Sequence, residues 1–394
     1  MPDKNNKKRI LIFSTAYFPL IGGAEVAVRE ITKRIDEFEF VVVAPKLDKD
    51  LPAREKIDNV DIHRLGQGNN RDKFKLILSG PKYARSLGQF DWVWAIMASY
   101  GGLAALRYKK QNKSVPFLLT LQEGDSKAHI YSRVWFVWPI FKQIFKRANK
   151  IQAISHYLAH WARRLGAKGD ITIVPNGVTM VEAGGAAGAE RDKCGHKRII
   201  TVSRLVKKNG VEDLIRALSY LAGEVHLTIV GDGPLRGKLE NLVKKKVLER
   251  RVHFVGAIAP DKVVDYLKNS DVFCRPSLSE GLGNAFLEAM AMSVPVVGTA
   301  VGGIPDFLTD GETGLPGEAH RAKTGWFCAV KNPTSIAEKI KYILDEKNKA
   351  AVARVTETAR KMVEEKYNWD KIALAMKGLF GGGGQWMAGR VEGN

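Results

Sequence analysis

The stretch RIITVSRLVKKNGVEDLIRAL, residues 198–218, combines a strand pattern, a basic loop and a helix pattern in one continuous segment. Residues 198–203 are mostly apolar or β-branched, and the apolar positions of VEDLIRAL recur at helical spacing. A continuously apolar strand followed by an amphipathic helix is typical of a parallel sheet that is covered on both faces. The stretch therefore predicts an α/β fold.

The loop of this stretch carries Arg204, Lys207 and Lys208 directly after the strand. The carboxyl end of a parallel strand is the usual place for a ligand in an open α/β sheet. Arginine offers a phosphate group a bidentate fork, and lysine offers a point charge. The alternative is a solvated basic loop without a ligand. Because of its position at the strand end, we favour an anion-binding loop.

The strand–helix pattern occurs twice along the chain, which indicates two βαβ-type domains. We expect ligands at the carboxyl ends of the strands and in a cleft between the domains. The predicted strands are 9–15, 38–44, 60–65, 91–96, 116–121 and 150–155 in the first half, and 198–203, 225–231, 252–256, 271–277 and 294–299 in the second.

The domain boundaries follow from a change in composition. The stretch VEAGGAAGAERDKCGH has no periodicity and is rich in glycine and alanine, as flexible linkers are. We therefore predict an N-terminal domain over 1–180, a linker over 181–196 and a C-terminal domain over 197–367. Residues 368–380 are expected to form a closing helix that packs back on the N-terminal domain, and the tail 381–394 is expected to be disordered.

The chain is strongly basic, with 62 Lys and Arg, 42 Asp and Glu and a net charge of +20. Such a charge favours nucleic acid, an anionic membrane or a phosphorylated small molecule as partner, although a generally basic surface is the alternative. The sequence shows no nucleic-acid-binding motif, so we expect no nucleic-acid partner. It has no apolar run long enough to cross a bilayer, and its apolar N-terminal stretch resembles a buried strand more than a signal peptide. We therefore expect a cytoplasmic protein.

A double glycine, Gly22-Gly23, precedes a predicted helix in the first half. Glycine permits a close approach of the backbone to a ligand, and the N–H groups at a helix N-terminus attract anions. The alternative is a tight turn in which Glu25 interacts with the helix dipole.

The stretch SEGLGNAFLEAMA, residues 279–291, holds two glutamates around a glycine loop and a helix start. Asn284 is predicted to cap the helix, so Glu280 lies in the loop and Glu288 on the helix. We expect the helix N-terminus at Asn284, Ala285 and Phe286 to face a phosphate group. The two carboxylates would then accept hydroxyl protons on either side of it.

These motifs resemble family 4 (group 1) of retaining glycosyltransferases, of the GT-B type. The matching motifs are EGLGNAFLE and the segment after it, SRLVKKNG, IVGDGPLRGKLE and IVPNGV, and the resemblance covers nearly all of residues 9–380. It implies an α/β fold of GT-B type, in which two Rossmann-like βαβ domains face each other across a cleft, with C-terminal closing helices. It also implies retaining transfer of a sugar from a nucleotide-sugar donor, UDP- or GDP-linked, to an acceptor hydroxyl.

The resemblance also implies roles for individual residues. Glu288 would hold the ribose hydroxyls of the donor, and Glu280 would lie beside the donor sugar. Backbone N–H groups at Gly283, Asn284, Ala285 and Phe286 would hold sugar hydroxyls or phosphate. Arg204 would neutralise the diphosphate leaving group, and Gly22 and Gly23 would approach the same phosphates. The expected enzyme needs no metal and no cofactor.

This chain departs from the family pattern at two positions. Gln122 stands where the family usually has a histidine near the transferred sugar, and it can form hydrogen bonds but cannot titrate. Asn209 stands where the family usually has a lysine, and Lys208 precedes it by one position. We assign Lys208 to the diphosphate. The departures leave open a non-catalytic nucleotide-sugar-binding relative; a basic nucleic-acid-binding protein or a sugar-nucleotide epimerase are further alternatives.

The segment RVWFVWPIFKQIFKRANK, residues 133–150, mixes aromatic and basic side chains. A helix of this composition can lie on an anionic membrane, or its aromatic side chains can belong to a core while its basic face is solvated. The first possibility predicts peripheral docking and an acceptor that is a lipid-linked or cell-envelope glycan. The sequence alone leaves both possibilities open.

Overall fold

The computed structural model describes residues 7–20, 22–180, 195–311 and 322–381. Most of the predicted linker and all but the first residue of the predicted tail lie outside the described residues. The chain divides into two compact units. The first comprises the described residues within Met1–Glu123, Lys127–Gly177 and Trp369–Asn394, and the second comprises those within Gly124–Ser126 and Val178–Asn368.

The strands of the described residues match the predicted apolar runs, apart from short additions at sheet edges. They are β1 Lys8–Phe13, β2 Phe38–Pro45, β3 Arg54–Ile57, β4 Val60–Leu65, β5 Trp92–Ile96, β6 Phe117–Leu121, β7 Lys150–Ala153, β8 Asp170–Ile173, β9 Lys197–Val202, β10 Val225–Val230, β11 Val252–Gly256, β12 Val272–Arg275, β13 Val296–Gly298 and β14 Trp326–Phe327.

The helices alternate with these strands. They are α1 Gly23–Thr32, α2 Asp72–Ser86, α3 Tyr100–Gln111, α4 Lys127–Val134, α5 Trp138–Arg147, α6 His156–Arg164, α7 Val211–Leu218, α8 Arg236–Lys245, α9 Pro260–Lys268, α10 Asn284–Ala291, α11 Pro333–Leu344, α12 Lys349–Lys366 and α13 Trp369–Leu379. A short 3₁₀ turn, Trp135–Val137, separates α4 from α5, and another, Lys207–Asn209, follows β9.

The first unit has an eight-stranded sheet in the order β3-β4-β2-β1-β5-β6-β7-β8, which is parallel except where β3 pairs with β4. Its central strands are buried on both faces, as the continuous apolar runs predicted; Ile10 and Ile12 have no exposed surface. Helix α13 packs against α1, and the Phe380 ring directly after α13 contacts Phe38 and Trp94. The last helix therefore completes the core of the first unit.

The second unit has a six-stranded sheet in the order β11-β10-β9-β12-β13-β14, and every pair in it is parallel. Its core includes Ile199 of β9 and Leu214 and Ile215 of α7, the strand and helix of the stretch RIITVSRLVKKNGVEDLIRAL. The predicted α/β fold with two largely parallel sheets is therefore confirmed.

Candidate active site

Most of the predicted site residues lie in the second unit, after two neighbouring strands. Arg204 and Lys208 follow β9, whereas Glu280 and Gly283 follow β12. Because β9 and β12 are adjacent and parallel, their following loops meet at the same edge of the sheet. The two loops are in direct contact, because the backbone N–H of Leu278 donates to the carbonyl of Lys208 at 2.6 Å.

Glu280 is fixed by a buried ion pair with Arg275, the last residue of β12. The Arg275 Nη2 donates to Glu280 Oε2 at 2.5 Å, and the N–H of Gly281 donates to Oε1 at 3.1 Å. The two side chains are only 8% and 15% exposed. The guanidinium also lies over the Phe286 ring, 4.8 Å from its centroid. Each carboxylate oxygen can accept a second hydrogen bond, so Glu280 can still bind a hydroxyl.

The sequence prediction missed Arg275, which it treated only as a strand residue. Its position at the carboxyl end of a predicted parallel strand could have identified it as a site residue. The same reasoning identified Arg204. Its pairing with Glu280 depends on the turn taken by the intervening residues, and no local pattern encodes that turn.

Two glycines give the backbone around Glu280 its close packing. Gly302 has a φ of +59°, and a Cβ there would lie 1.8 Å from the Glu280 carbonyl oxygen. Gly210 has a φ of +67°, and a Cβ there would lie 1.9 Å from the carbonyl oxygen of Pro276. Only glycine fits these left-handed positions without displacing the loop.

Lys208 faces Glu280 across a short segment of the second unit, Gly124–Ser126. The Lys208 Nζ lies 2.9 Å from Asp125 Oδ1, and the Ser279 hydroxyl donates to the Gly124 carbonyl at 3.2 Å. A Cβ on Gly124 would lie 3.0 Å from Lys208 Nζ and 3.4 Å from Glu280 Oε1. The ammonium and the carboxylate therefore both border Gly124. The sequence prediction did not include Asp125, whose partner is distant along the chain.

Arg204 is exposed, and its backbone is held by Asn209. The Asn209 side chain is buried and donates from Nδ2 to the Arg204 carbonyl at 2.6 Å. The residue that replaces the family lysine thus braces the loop that carries Arg204.

We expect Asn209→Ala to lower the free energy of unfolding by about 0.5–1.5 kcal/mol, because the substitution removes a buried hydrogen bond and leaves the Arg204 carbonyl with the N–H of Val206 as its remaining donor. The matched control is Asn269→Ala, in which an exposed asparagine loses a similar bond to the carbonyl of Asp265. Urea denaturation of both variants measures the difference. Equal costs for the two substitutions would show that Asn209 has no special bracing role.

Asn284 does not cap helix α10, contrary to the sequence prediction. Gly283 occupies the N-cap position with a φ of +105°, and Asn284 is the first helical residue. The left-handed glycine turns the chain into the helix one residue earlier than the polar pattern indicated. The N-cap glycine itself provides no side-chain cap for this N-terminus. Its partial positive charge, with Ala285 and Phe286 in the first turn, favours an anion.

Glu288 lies in the second turn of α10 and is partly buried. Burial raises the pKa of its carboxyl, and the positive charge of Arg275 lowers that pKa in part. No described residue forms a hydrogen bond with this carboxylate. A partly desolvated carboxylate gains from any pair of hydroxyl donors that reaches it.

We expect Glu288→Gln to stabilise the unliganded protein at neutral pH. Because the folded-state pKa is raised, the ionised carboxylate costs stability above that pKa, and the cost disappears as pH falls below the ordinary glutamate value of 4.5. The midpoint of thermal unfolding should therefore rise in the variant, by about 2–4 °C for each kcal/mol recovered, and the gain should shrink toward acidic pH.

The matched control for this prediction is Glu338→Gln, which changes an exposed glutamate of helix α11. Thermal unfolding followed across a pH series should show no pH-dependent gain for the control. A gain from Glu288→Gln that does not depend on pH would contradict the argument from burial.

Three further predicted residues belong to the first unit. Gly22 is the N-cap of α1, and a Cβ there would lie 2.6 Å from Glu25 Oε2. Burial raises the pKa of Glu25, whereas hydrogen bonds from the N–H groups of Glu25 and Gly22 lower it. This N-terminus thus already interacts with a carboxylate of its own helix, the alternative considered for the double glycine. A phosphate role for Gly22 and Gly23 stays a prediction.

Gln122 follows β6 in the first unit and is partly buried. Its Oε1 accepts a hydrogen bond from Nδ2 of Asn176 at 3.1 Å. This bond orients the amide so that Nε2 is the group that can donate to a hydroxyl. The geometry is compatible with the sugar contact implied for Gln122, which stays a prediction.

The described residues contain neither a bilayer-spanning helix nor a cluster of metal ligands. None of their helices is both long and apolar enough to cross a bilayer. Within the same part of the chain, no group of three or more His, Cys, Asp or Glu side chains is arranged to hold a metal ion.

Comparison with known proteins identifies the family. The model for glycosyl transferases group 1 matches residues 189–369, and the model for glycosyltransferase family 4 matches residues 21–181. An uncharacterized glycosyltransferase of Methanocaldococcus jannaschii is 25% identical over 377 residues, which cover 94% of this chain and 97% of that protein.

Solved structures share the fold at lower sequence identity. Sucrose-phosphate synthase from Thermosynechococcus elongatus superposes with a TM-score of 0.80 at 22% identity, covering 95% of this chain and 98% of that one. Anabaena HepE in complex with UDP and glucose superposes with a TM-score of 0.75 at 17% identity, covering 95% and 99%. With the two family matches, these likenesses lead to one conclusion: the chain belongs to the family 4 (group 1) glycosyltransferases and has the GT-B fold.

Proposed function

We propose that the protein transfers a sugar, with retention of anomeric configuration, from a UDP- or GDP-linked donor to an acceptor hydroxyl, and that the second unit binds the donor. The observation that carries the proposal is the arrangement around α10. Three features lie between the last residue of β12 and the second turn of α10. They are the buried Arg275–Glu280 pair, an anion-attracting helix N-terminus and the Glu288 carboxylate. HepE has the same fold and was solved in complex with UDP and glucose, which supports a nucleotide-linked donor.

The donor nucleoside is assigned to Glu288. The two hydroxyls of a ribose would donate to the carboxylate, which has no hydrogen-bond partner among the described residues. Partial burial makes such bonds stronger than they would be in water, because the local dielectric is lower. The structure thus offers a physical reason for the ribose role implied by the resemblance.

The donor diphosphate is assigned to Arg204, Lys208 and the N-terminus of α10. As the bond between the anomeric carbon and the diphosphate oxygen breaks, negative charge accumulates on the leaving group. Fixed cations and backbone N–H groups stabilise that charge without reorganising. We propose that these groups take the role that a metal ion has in other transferases. The acceptor oxygen bonds to the anomeric carbon on the face from which the diphosphate departs, which retains the configuration, and the hydroxyl proton passes to the departing diphosphate oxygen.

The donor sugar is assigned to the neighbourhood of Glu280. The ion pair with Arg275 and the bond from Gly281 hold the carboxylate in one orientation. A fixed carboxylate orients a sugar hydroxyl at little entropic cost on binding. The role implied for Gln122 rests on the resemblance alone.

The proposal is tested with a panel of UDP-, GDP- and ADP-sugars in the presence of EDTA. We expect donors of one base to raise the midpoint of thermal unfolding in a concentration-dependent way and to be slowly hydrolysed. Binding without hydrolysis or transfer would favour the non-catalytic relative, which Gln122 in place of the family histidine makes a specific alternative. Activity that returns only with added Mg²⁺ would contradict the metal-free mechanism, and no response to any donor would contradict the proposal as a whole.

A further inference from the structure

The aromatic segment between α4 and α5 divides into a buried side and an exposed side. Phe141 and Phe145 are buried in the first unit, at 2% and 0% exposure. Trp135 and Phe136, in the 3₁₀ turn, are 73% and 68% exposed, and Ile140 is 51% exposed. The two interpretations of the sequence therefore apply to different residues of one segment: some of its aromatic side chains form core, and others face solvent.

Two more exposed apolar side chains lie on helix α2, for which the sequence predicted no surface site. Phe74 is 58% exposed and Leu78 is 62% exposed. They lie one helical turn apart, on the same face of α2. Solvent exposure of neighbouring large apolar side chains costs free energy unless a partner covers them.

The two exposed apolar groups, one of Trp135, Phe136 and Ile140 and the other of Phe74 and Leu78, lie toward the same edge of the first sheet. Helix α3 packs against both α2 and α5, and the Phe74 ring contacts the Tyr100 ring at the start of α3, with centroids 5.5 Å apart. Helices α2 and α3 begin directly after strands β4 and β5, and α5 runs back toward the start of β7. All three helices therefore begin near the carboxyl edge of the parallel sheet.

The charges on these helices are almost all positive. Residues 127–150 and residues 73–86 contain no Asp or Glu. The one acidic side chain of α2, Asp72, is buried and accepts hydrogen bonds from the N–H groups of Gln67, Gly68 and Asn69. The exposed basic side chains of the two ranges are Lys75, Lys82, Arg85, Arg133, Lys146 and Arg147, and the exposed Arg71 directly precedes α2. Arg71, Lys75 and Arg133 are the ones near the carboxyl edge of the sheet, because they lie at the start of α2 and shortly before α5.

We propose that Phe74, Leu78, Trp135, Phe136 and Ile140, with the basic side chains Arg71, Lys75 and Arg133, form a face that docks on an anionic lipid bilayer. Exposed aromatic and aliphatic groups beside lysine and arginine, on helical segments that carry no exposed carboxylate, are the composition of a segment that lies in a bilayer interface. Leu78 and Ile140 favour lipid over nucleic acid, since aliphatic side chains enter an acyl layer but give no stacking surface to a base.

Docking by this face is independent of the donor and goes beyond the proposed function. What the bilayer supplies depends on that function: if the protein is a glycosyltransferase, the face brings the carboxyl edge of the first sheet to a lipid-linked acceptor.

The experiment is co-sedimentation of the full chain with phosphatidylcholine vesicles that contain or lack phosphatidylglycerol. We expect binding only to the anionic vesicles at low salt, and less binding as salt is raised. The double variants Trp135→Ser/Phe136→Ser and Phe74→Ser/Leu78→Ser should each lower the partition coefficient by about tenfold or more, since each removes two side chains that would enter the interface. The matched control is Tyr220→Ser/Val247→Ser, which removes two exposed apolar groups of the second unit, 52% and 85% exposed.

Three results would overturn the docking face. They are failure of the unmodified protein to sediment with anionic vesicles at low salt, unchanged binding of both double variants, and binding to single-stranded RNA in place of vesicles. The donor-induced shift in thermal unfolding, measured on the same preparations, reports the proposed function separately. Variants that lose vesicle binding but keep a normal unfolding midpoint would support the docking face whichever result the donor gives.

Discussion

Arg275→Met is expected to lower the free energy of unfolding by about 3–5 kcal/mol at neutral pH, because it leaves the buried Glu280 carboxylate without its partner. The pair is 2.5 Å apart and mostly shielded from water. Urea denaturation at neutral pH measures this loss.

Two further variants make this prediction specific. The double variant Arg275→Met/Glu280→Gln removes both charges and should recover much of the lost stability, which a double-mutant cycle would show as a strong coupling. Arg216→Met breaks an exposed pair with Glu212 on helix α7 and should cost no more than about 1 kcal/mol. If Arg275→Met costs no more than Arg216→Met, the Arg275–Glu280 pair is not desolvated as described.

Arg204→Ala is expected to lower kcat by about 10²–10³-fold with a smaller effect on donor affinity. The exposed guanidinium would face the leaving diphosphate, whose negative charge is larger in the transition state than in the bound donor. Steady-state kinetics with the donor identified by the panel separates kcat from KM.

The matched control for Arg204 is Lys207→Ala, which removes an exposed cation from the 3₁₀ turn of the same loop. We expect it to change kcat little, because the proposed mechanism gives Lys207 no contact with the diphosphate. Arg204→Lys should be faster than Arg204→Ala but slower than the unmodified protein, because lysine keeps the positive charge and lacks the bidentate guanidinium. If Arg204→Ala raises KM and leaves kcat unchanged, this residue binds the ground state and the transition state equally strongly.

The fold was largely predictable because its strands are buried on both faces. Such strands appear in the sequence as continuous apolar runs, and β1 and β9 were found in this way. The short strand β3, with the sequence REKI, was not found because its charged residues form a strand only through pairing with β4. Strand β14 has two residues and carries no pattern of its own.

The candidate site was predictable only in part. Arg204, Glu280 and Glu288 belong to local motifs, so the sequence identifies them. Arg275 and Asp125 acquire their roles from partners elsewhere in the fold, Glu280 and Lys208, and no periodicity reports such contacts. Asn284 was wrongly predicted as a helix cap because the polar pattern does not show that Gly283 adopts a left-handed conformation.

The exposed apolar residues of the first unit could not be predicted from the sequence for a different reason. Helical periodicity around Trp135 indicates which residues share a face, but it does not reveal whether protein or solvent covers that face. The structure supplies this information for each side chain: Phe141 is buried and Trp135 is exposed. The exposed pair on α2 was missed for the same reason, since Phe74 and Leu78 have the spacing of an ordinary core-facing pair.

The central claim is that the protein cleaves a nucleotide-sugar donor with retention of configuration. The most direct measurement is proton NMR of the sugar first released or transferred from the donor identified by the panel, with EDTA present and before mutarotation is complete. The proposed mechanism predicts that the first-formed product keeps the anomeric configuration of the donor and that Arg204→Ala slows its formation. A first-formed product of inverted configuration would contradict this mechanism.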